Sequence, residues 1–195
     1  MPIPAPKPVH VVYRTRRFTK MLKWYEDVFG ARIVFRNEAL AFATFDEEHH
    51  RFAFADLNVI APGDNYADDT GTVGVDHVAY DLPSMRGLLE AYEELKQAGI
   101  EPYWCVNHGM SASLYYADPD GNQMEFSVDC FASKAECSAY WSGPVIGENP
   151  VGVEFDPDDW LEKLRCGMAE PDLLKIDAKG PVSPIRGKLM EMIDA

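Results

Sequence analysis

The chain repeats itself. Val9-His10-Val11-Val12-Tyr13 and Val75-Asp76-His77-Val78-Ala79-Tyr80 are short, strand-like apolar segments, each with a histidine near its start. An amphipathic run follows each of them. In Phe18 to Phe29, Leu22, Tyr25 and Phe29 recur at helical spacing, and Gly30 is the kind of residue that ends a helix in the left-handed conformation. In Met85 to Ala98, Leu88, Leu89, Tyr92 and Leu95 do the same, between Ser84 as N-cap and Gly99 as stop. Three β-type segments then come in each half: residues 31–35, 40–45 and 52–57 in the first, 101–106, 113–117 and 123–128 in the second. Both halves read β-α-β-β-β, which predicts an α+β chain built from two copies of one unit.

Residues 1–60 form the first module and residues 74–129 the second. Residues 61–73 are expected to be a linker, because Ala61-Pro62-Gly63-Asp64-Asn65 and the stretch to Gly71 are polar and rich in turn formers. Asp118-Pro119-Asp120-Gly121 predicts a tight turn between the last two strands of the second module. Residues 130–195 hold no third copy and are read as a C-terminal extension packing on the core. It carries one clearly signalled helix, with Asp156 as cap, Pro157 at the first helical position, and Trp160, Leu161 and Leu164 facing inward before Gly167. Whether the extension covers a binding cup or makes a subunit contact is left open by the sequence.

Charge narrows the partners. Eighteen Lys and Arg stand against 32 Asp and Glu, a formal net charge of −14, so a nucleic-acid partner is not expected, since neutralising phosphates needs a basic face. No apolar run approaches the roughly 20 residues of a membrane helix. The opening Met1-Pro2-Ile3-Pro4 lacks the apolar core of a signal peptide. A cytoplasmic protein is expected. Cys105, Cys130, Cys137 and Cys166 stand far apart without a Cys-x-x-Cys pair, which argues against a zinc ribbon or dithiol centre, and they are read as free thiols without a role.

Chemistry is expected at the five histidines, His10, His49, His50, His77 and His108. A single strand histidine is usually a hydrogen-bonded structural residue, and a strand-end glutamate is usually solvated. Two histidines at equivalent repeat positions are not independent accidents, however. Glu125 falls between Met124 and Phe126, so strand alternation turns it to the opposite face from both. An inward glutamate near two inward histidines points to a metal site of two imidazoles and one carboxylate.

These same segments, His10 with its strand, Val75 to Ala79, and Asp118 to Phe126, resemble the metal-binding strands of the vicinal oxygen chelate superfamily. That superfamily includes glyoxalase I, bleomycin-resistance proteins and extradiol catechol dioxygenases. The resemblance spans Val9 to Asp129 and implies two βαβββ modules paired into a cupped mixed sheet around one metal. Within it, Phe45-Asp46-Glu47-Glu48-His49-His50-Arg51-Phe52-Ala53-Phe54 has no carboxylate within the strand, where a glyoxalase-type member places its second glutamate. It resembles instead the His-x-x-Ala-apolar motif of the extradiol dioxygenases, which implies that His50 is a non-ligand catalytic histidine and His49 a surface neighbour. Asn107-His108-Gly109 and Leu114-Tyr115 resemble the further histidine and tyrosine of that pattern. The loop from His108 to Tyr115 is shorter than in the large two-domain dioxygenases.

The resemblance therefore implies an extradiol-type dioxygenase that opens a catecholic ring with Fe(II) and O2. His10, His77 and Glu125 are the expected metal ligands, and His50, His108 and Tyr115 the catalytic residues. Two His and one carboxylate leave open positions suited to non-haem Fe(II) oxygenase chemistry, and histidine titrates near neutrality, as proton transfer requires. Phe54, Tyr103 and Trp104 are candidate pocket walls. A small-molecule catechol and O2 are the expected partners, with a homo-oligomer as the expected assembly. The alternatives are a glyoxalase-like lyase or isomerase using Zn²⁺, Ni²⁺ or Mn²⁺, with a fourth ligand from the first module, and a non-catalytic ligand-sequestering protein of the bleomycin-resistance kind.

Overall fold

The computed structural model describes residues 8–62, 75–140, 143–177, 179–185 and 187–188, less the side chains at 134, 137, 138, 146 and 147. Most of the expected linker, residues 63–73, lies outside the described residues, as does the side chain of Cys137. The chain forms two compact units, Met1–Thr72 with Asp118–Asp120, and Val73–Ala117 with Gly121–Ala195.

The first unit runs β1 (Val11–Thr15), α1 (Phe18–Phe29), β2 (Arg32–Arg36), β3 (Leu40–Thr44), β4 (Phe52–Asp56) and α2 (Leu57–Ile60). Its four-stranded sheet has the order β1-β4-β3-β2, with β1 parallel to β4 and the other pairs antiparallel. Helix α1 ends as expected at Gly30, which takes φ +61°. Its face of Phe18, Met21, Leu22, Trp24 and Tyr25 is buried, and Tyr25 packs edge-on against Phe52 and Phe54 of β4. The short α2 has no periodicity to read; Asp56 caps it by accepting from the Asn58 amide at 2.9 Å. The turn at Asp118–Asp120 belongs to this unit, with Arg17 paired to Asp120 at 2.8 Å and the Tyr25 hydroxyl donating to Asp118 at 3.2 Å.

The second unit repeats the order: β5 (His77–Asp81), α3 (Met85–Gln97), β6 (Trp104–Asn107), β7 (Ser111–Ala117) and β8 (Gln123–Asp129). The extension adds α4 (Lys134–Tyr140), α5 (Pro144–Glu148), β9 (Val153–Glu154), α6 (Pro157–Arg165) and α7 (Glu170–Leu173). The sheet order is β5-β8-β7-β6-β9, with β5 parallel to β8. Ser84 caps α3 through the Gly87 amide at 3.1 Å. One expected strand start moves. Residues 101–103 precede β6 rather than opening it, in keeping with a Pro102 that has no amide to donate to a ladder. Beside its expected helix the extension holds further elements, of which β9 extends the sheet along β6, through Val106–Glu154 and Asn107–Val153.

Helix α6 has the predicted cap, Asp156 accepting from the Asp158 amide at 2.9 Å, and its inward Trp160, Leu161 and Leu164 are buried. Phe155 stacks on Trp160 at 3.8 Å, and Lys96 of α3 pairs with Asp158 of α6. Two βαβββ-like modules with mixed sheets and a helical extension are thus the architecture. Among the described residues no helix is long and apolar enough to cross a membrane.

Candidate metal and catalytic site

The register of the second sheet decides which side chains meet. His77 opens β5 opposite Gln123, so Glu125 is two residues further along the neighbouring parallel strand and on the same face. His77 Nε2 comes to 3.0 Å from Glu125 Oε2, while His77 Nδ1 donates to Asp76 Oδ1 at 2.9 Å. The other Glu125 oxygen accepts from the buried Ser113 hydroxyl at 2.6 Å. With a carboxylate on each nitrogen, the hydrogen bond to Glu125 foremost, the His77 imidazolium holds its proton up to about 9. Burial works to raise Glu125, but the hydrogen bonds from His77 and Ser113 outweigh it and leave the carboxyl below its ordinary value.

The next strand continues this face. Tyr115 of β7 is directly opposite Glu125, and its ring meets His77 edge-on at 5.3 Å. Burial, and then the charge of Glu125, push the Tyr115 hydroxyl far above its usual value. The hydroxyl is also 3.1 Å from His108 Nε2. His108 stands just beyond β6, and its Nδ1 lies 2.5 Å from the carbonyl of Val151 in the extension. Burial holds His108 below the ordinary imidazole value, against the opposing effect of that carbonyl. Trp104 closes the cluster, 4.7 Å from Tyr115 and edge-on to His108 at 5.6 Å. Tyr116, its side chain on the other face, is 1 % exposed and packs on Phe126, as a core residue does.

In the first unit, His10 lies immediately before β1 rather than within it. Like His77, it stands eight residues ahead of the first residue of the following helix. Its ring stacks on His50 at 4.5 Å, and His50 also meets Phe42 at 5.1 Å. His49 is exposed, with its Nδ1 2.6 Å from that of His50. Burial, and then the like charges of His10 and His49, lower the His50 pKa. Val11 pairs with Phe52, so His10 is level with Arg51, and the position that corresponds to Glu125 is Ala53. The first module has no carboxylate there. Phe54 is correctly read as a strand residue but not as a wall: it is fully buried under α1.

The structure thus brings together His77 with Glu125, His108 with Tyr115, and His10 with His50. Among the described residues no group of three His, Cys, Asp or Glu is assembled to hold a metal. The donor chemistry of the pair nevertheless fits one. An imidazole nitrogen and a carboxylate oxygen held 3.0 Å apart by neighbouring strands are both donors that a divalent transition-metal ion would accept. Val151, whose carbonyl meets His108, was not legible as a site residue, because a backbone acceptor leaves no mark in composition or motif.

Residues 7–126 match the family described as the Glyoxalase/Bleomycin resistance protein/Dioxygenase superfamily. The chain belongs to this superfamily. Biphenyl-2,3-diol 1,2-dioxygenase 2 of Rhodococcus globerulus is 46 % identical over 163 residues, 84 % of each chain. Biphenyl-2,3-diol 1,2-dioxygenase 3 of the same organism is 38 % identical over 170 residues, 87 % of each chain. Among solved structures, a glyoxalase/bleomycin resistance protein/dioxygenase from Nocardioides superposes with a TM-score of 0.53 at 18 % identity, covering 68 % of this chain and 89 % of that one, and bears on the fold alone. Within the superfamily, which is associated with metal-dependent catalysis, the chain is an enzyme of the extradiol ring-cleaving dioxygenase type, as its sequence predicts.

Proposed function

We propose that the enzyme opens the ring of a catechol beside its two hydroxyls, with biphenyl-2,3-diol and similar aryl-substituted catechols as the substrate class, using Fe(II) and O2. The observation that carries this reading is one continuous polar face on the second sheet, His77–Glu125–Tyr115–His108, in a chain nearly half identical to a biphenyl-2,3-diol dioxygenase. His77 and Glu125 would hold the ion, with His10 as third ligand. Support for His10 is its equivalence to His77 in the repeat. The chemistry a bound Fe(II) supplies is electron transfer between a chelated catechol and dioxygen.

The chain's own groups handle protons and orientation. Tyr115 and His108 sit in contact on the face that carries Glu125, so a catechol hydroxyl brought there has an oxygen acceptor in Tyr115 and a neutral imidazole behind it. His50, with its lowered pKa, is largely neutral at pH 7 and is assigned the proton transfers on the dioxygen side. Ala53 in place of a second carboxylate favours a three-ligand site over the four-ligand site of glyoxalase-type isomerases. The enzyme is further proposed to act as a soluble homo-oligomer, which sizing by light scattering would check.

The test is anaerobic loading of the full chain with Fe(II), followed by a panel of catechols that includes biphenyl-2,3-diol. The expected result is one O2 consumed per catechol, with a yellow ring-opened product that contains both oxygen atoms. Absence of turnover with Fe(II), together with isomerisation of a thiohemiacetal on Zn²⁺ or Ni²⁺ loading, would overturn the reading.

A further inference from the structure

We propose that the C-terminal extension sets the tautomer of His108, through a clamped turn at Asn149–Gly152 that presents the Val151 carbonyl to Nδ1. The consequence for catalysis rests on the reading above; the tautomer itself does not. A carbonyl oxygen can only accept, so at 2.5 Å from Val151 the proton of His108 must be on Nδ1. In a neutral ring Nε2 is then a bare acceptor, and it faces the Tyr115 hydroxyl at 3.1 Å. The burial of His108 beside Trp104 and Tyr115 favours the neutral ring. Tyr115 therefore donates to His108, and the tyrosine oxygen keeps its lone pairs for an incoming hydroxyl.

The turn is built for one geometry. The buried side chain of Asn149 accepts from the Gly152 amide at 2.7 Å and donates to the Gly152 carbonyl at 3.1 Å. That carbonyl also accepts from the Ser183 amide at 2.9 Å. Gly152 takes φ +114°, and a Cβ there would stand 2.3 Å from the Asn107 carbonyl and 2.8 Å from the His108 Cα. The absence of a side chain lets the extension reach the backbone of the residue it orients. The same segment is anchored a second time, because the buried Ser183 hydroxyl accepts from the Trp104 indole at 2.8 Å and donates to Glu154 at 2.6 Å. Asn149 and Gly152 are positioning residues: they act on the chemistry only through His108.

Tyr115 also has Glu125 within reach, which defines the competing arrangement. If Tyr115 donated to Glu125, its oxygen would accept from a protonated Nε2, and a neutral His108 would have no proton for Val151. The two arrangements differ in which nitrogen is protonated, and that is measurable.

The experiment is long-range ¹H–¹⁵N correlation on the full-length chain with ¹⁵N-histidine, metal-free and zinc-loaded, with His108 assigned by its loss in His108→Gln. The expected spectrum in both states has a protonated Nδ1 and a bare Nε2. A protonated Nε2 in either state, in a neutral or a doubly protonated ring, overturns the proposal whether or not the protein turns over a catechol. In Asn149→Ala the two tautomers should mix, with kcat for a catechol about tenfold lower and KM within about a factor of two. An unmixed tautomer in Asn149→Ala would remove the clamp from the proposal's cause. Failure of all catechol turnover beside an intact Nδ1–H signal would reject the proposed function and leave the tautomer assignment standing.

Discussion

His77 Nε2 and Glu125 Oε2 are 3.0 Å apart across the parallel pair β5–β8. The register that opposes His77 to Gln123 fixes this distance, and the sheet, not a loop, holds the two side chains. Without a metal they form an ion pair in which the His77 proton is held up to about 9. The sign of the linkage follows. A histidine pKa raised on folding stabilises the metal-free chain below the ordinary value near 6.5, and that contribution is lost as pH rises through about 9.

Metal and proton therefore compete for His77. At pH 7 metal loading should release about one proton from this residue, and apparent metal affinity should rise with pH until about 9, up to about tenfold per unit. Calorimetric titration in buffers of differing ionisation enthalpy measures the proton directly. Binding with no net proton release at pH 7 would exclude His77 as a ligand.

The Ser113 hydroxyl fixes the other oxygen of Glu125 at 2.6 Å, and Ser113 is fully buried. Ser113→Ala should weaken metal binding about 10–100-fold, the usual effect of losing a partner that orients a metal ligand. Fold stability should fall by only about 1 kcal/mol. Competition against a chromogenic chelator reads the affinity and denaturant melts read the fold; unchanged affinity would show that Ser113 does not orient the carboxylate.

The repeat made most of the scaffold legible. Helix α1 occupies the expected Phe18–Phe29, and α3 begins at Met85 behind the expected Ser84 cap, because apolar periodicity and capping chemistry are local. The meeting of His77 with Glu125 was legible in part, since strand alternation gives the face of Glu125, but the 3.0 Å needs the register, which is a long-range property. The two-residue strand β9 and the Val151 carbonyl were not legible. Backbone groups act there, and their partners are decided by where the chain returns, not by side-chain type. Phe54 shows the same limit: alternation marks it as facing one side, and only packing under Tyr25 shows that the side is the core.

Removal of the extension should be destructive. Truncation after Asp129 would strip β9 from the edge of β6 and take away the buried Trp160, Leu161, Leu164, Leu173 and Leu174. It would also remove the acceptor of His108 and the Ser183 partner of Trp104. An uncovered sheet edge and an apolar α3 face predict aggregation. Centrifugation and thermal melting of the truncated chain check this, and a soluble truncate with native melting would contradict it.

His50 separates oxygenase chemistry from Lewis-acid chemistry. It stacks on His10 at 4.5 Å, and its Nδ1 lies 2.6 Å from that of His49, so Nε2 is the nitrogen assigned to the proton transfer. Burial and the neighbouring imidazoles hold its pKa below 6.5, so at neutral pH it is a base ready to take one proton. In His50→Asn a polar group of similar reach remains, but the titratable nitrogen is gone. Iron should stay bound if His10, His77 and Glu125 are the ligands, and a catechol should still perturb the visible spectrum of the loaded protein. Turnover should fall about 10²–10⁴-fold, the usual contribution of a positioned proton-transfer group. If His50 is instead a fourth ligand, iron affinity and turnover should fall together, and the isomerase reading gains. Iron content and kcat measured on this one variant therefore assign His50 to the metal or to the proton: retained iron with slow turnover places it on the proton, and unaltered turnover removes it from the chemistry.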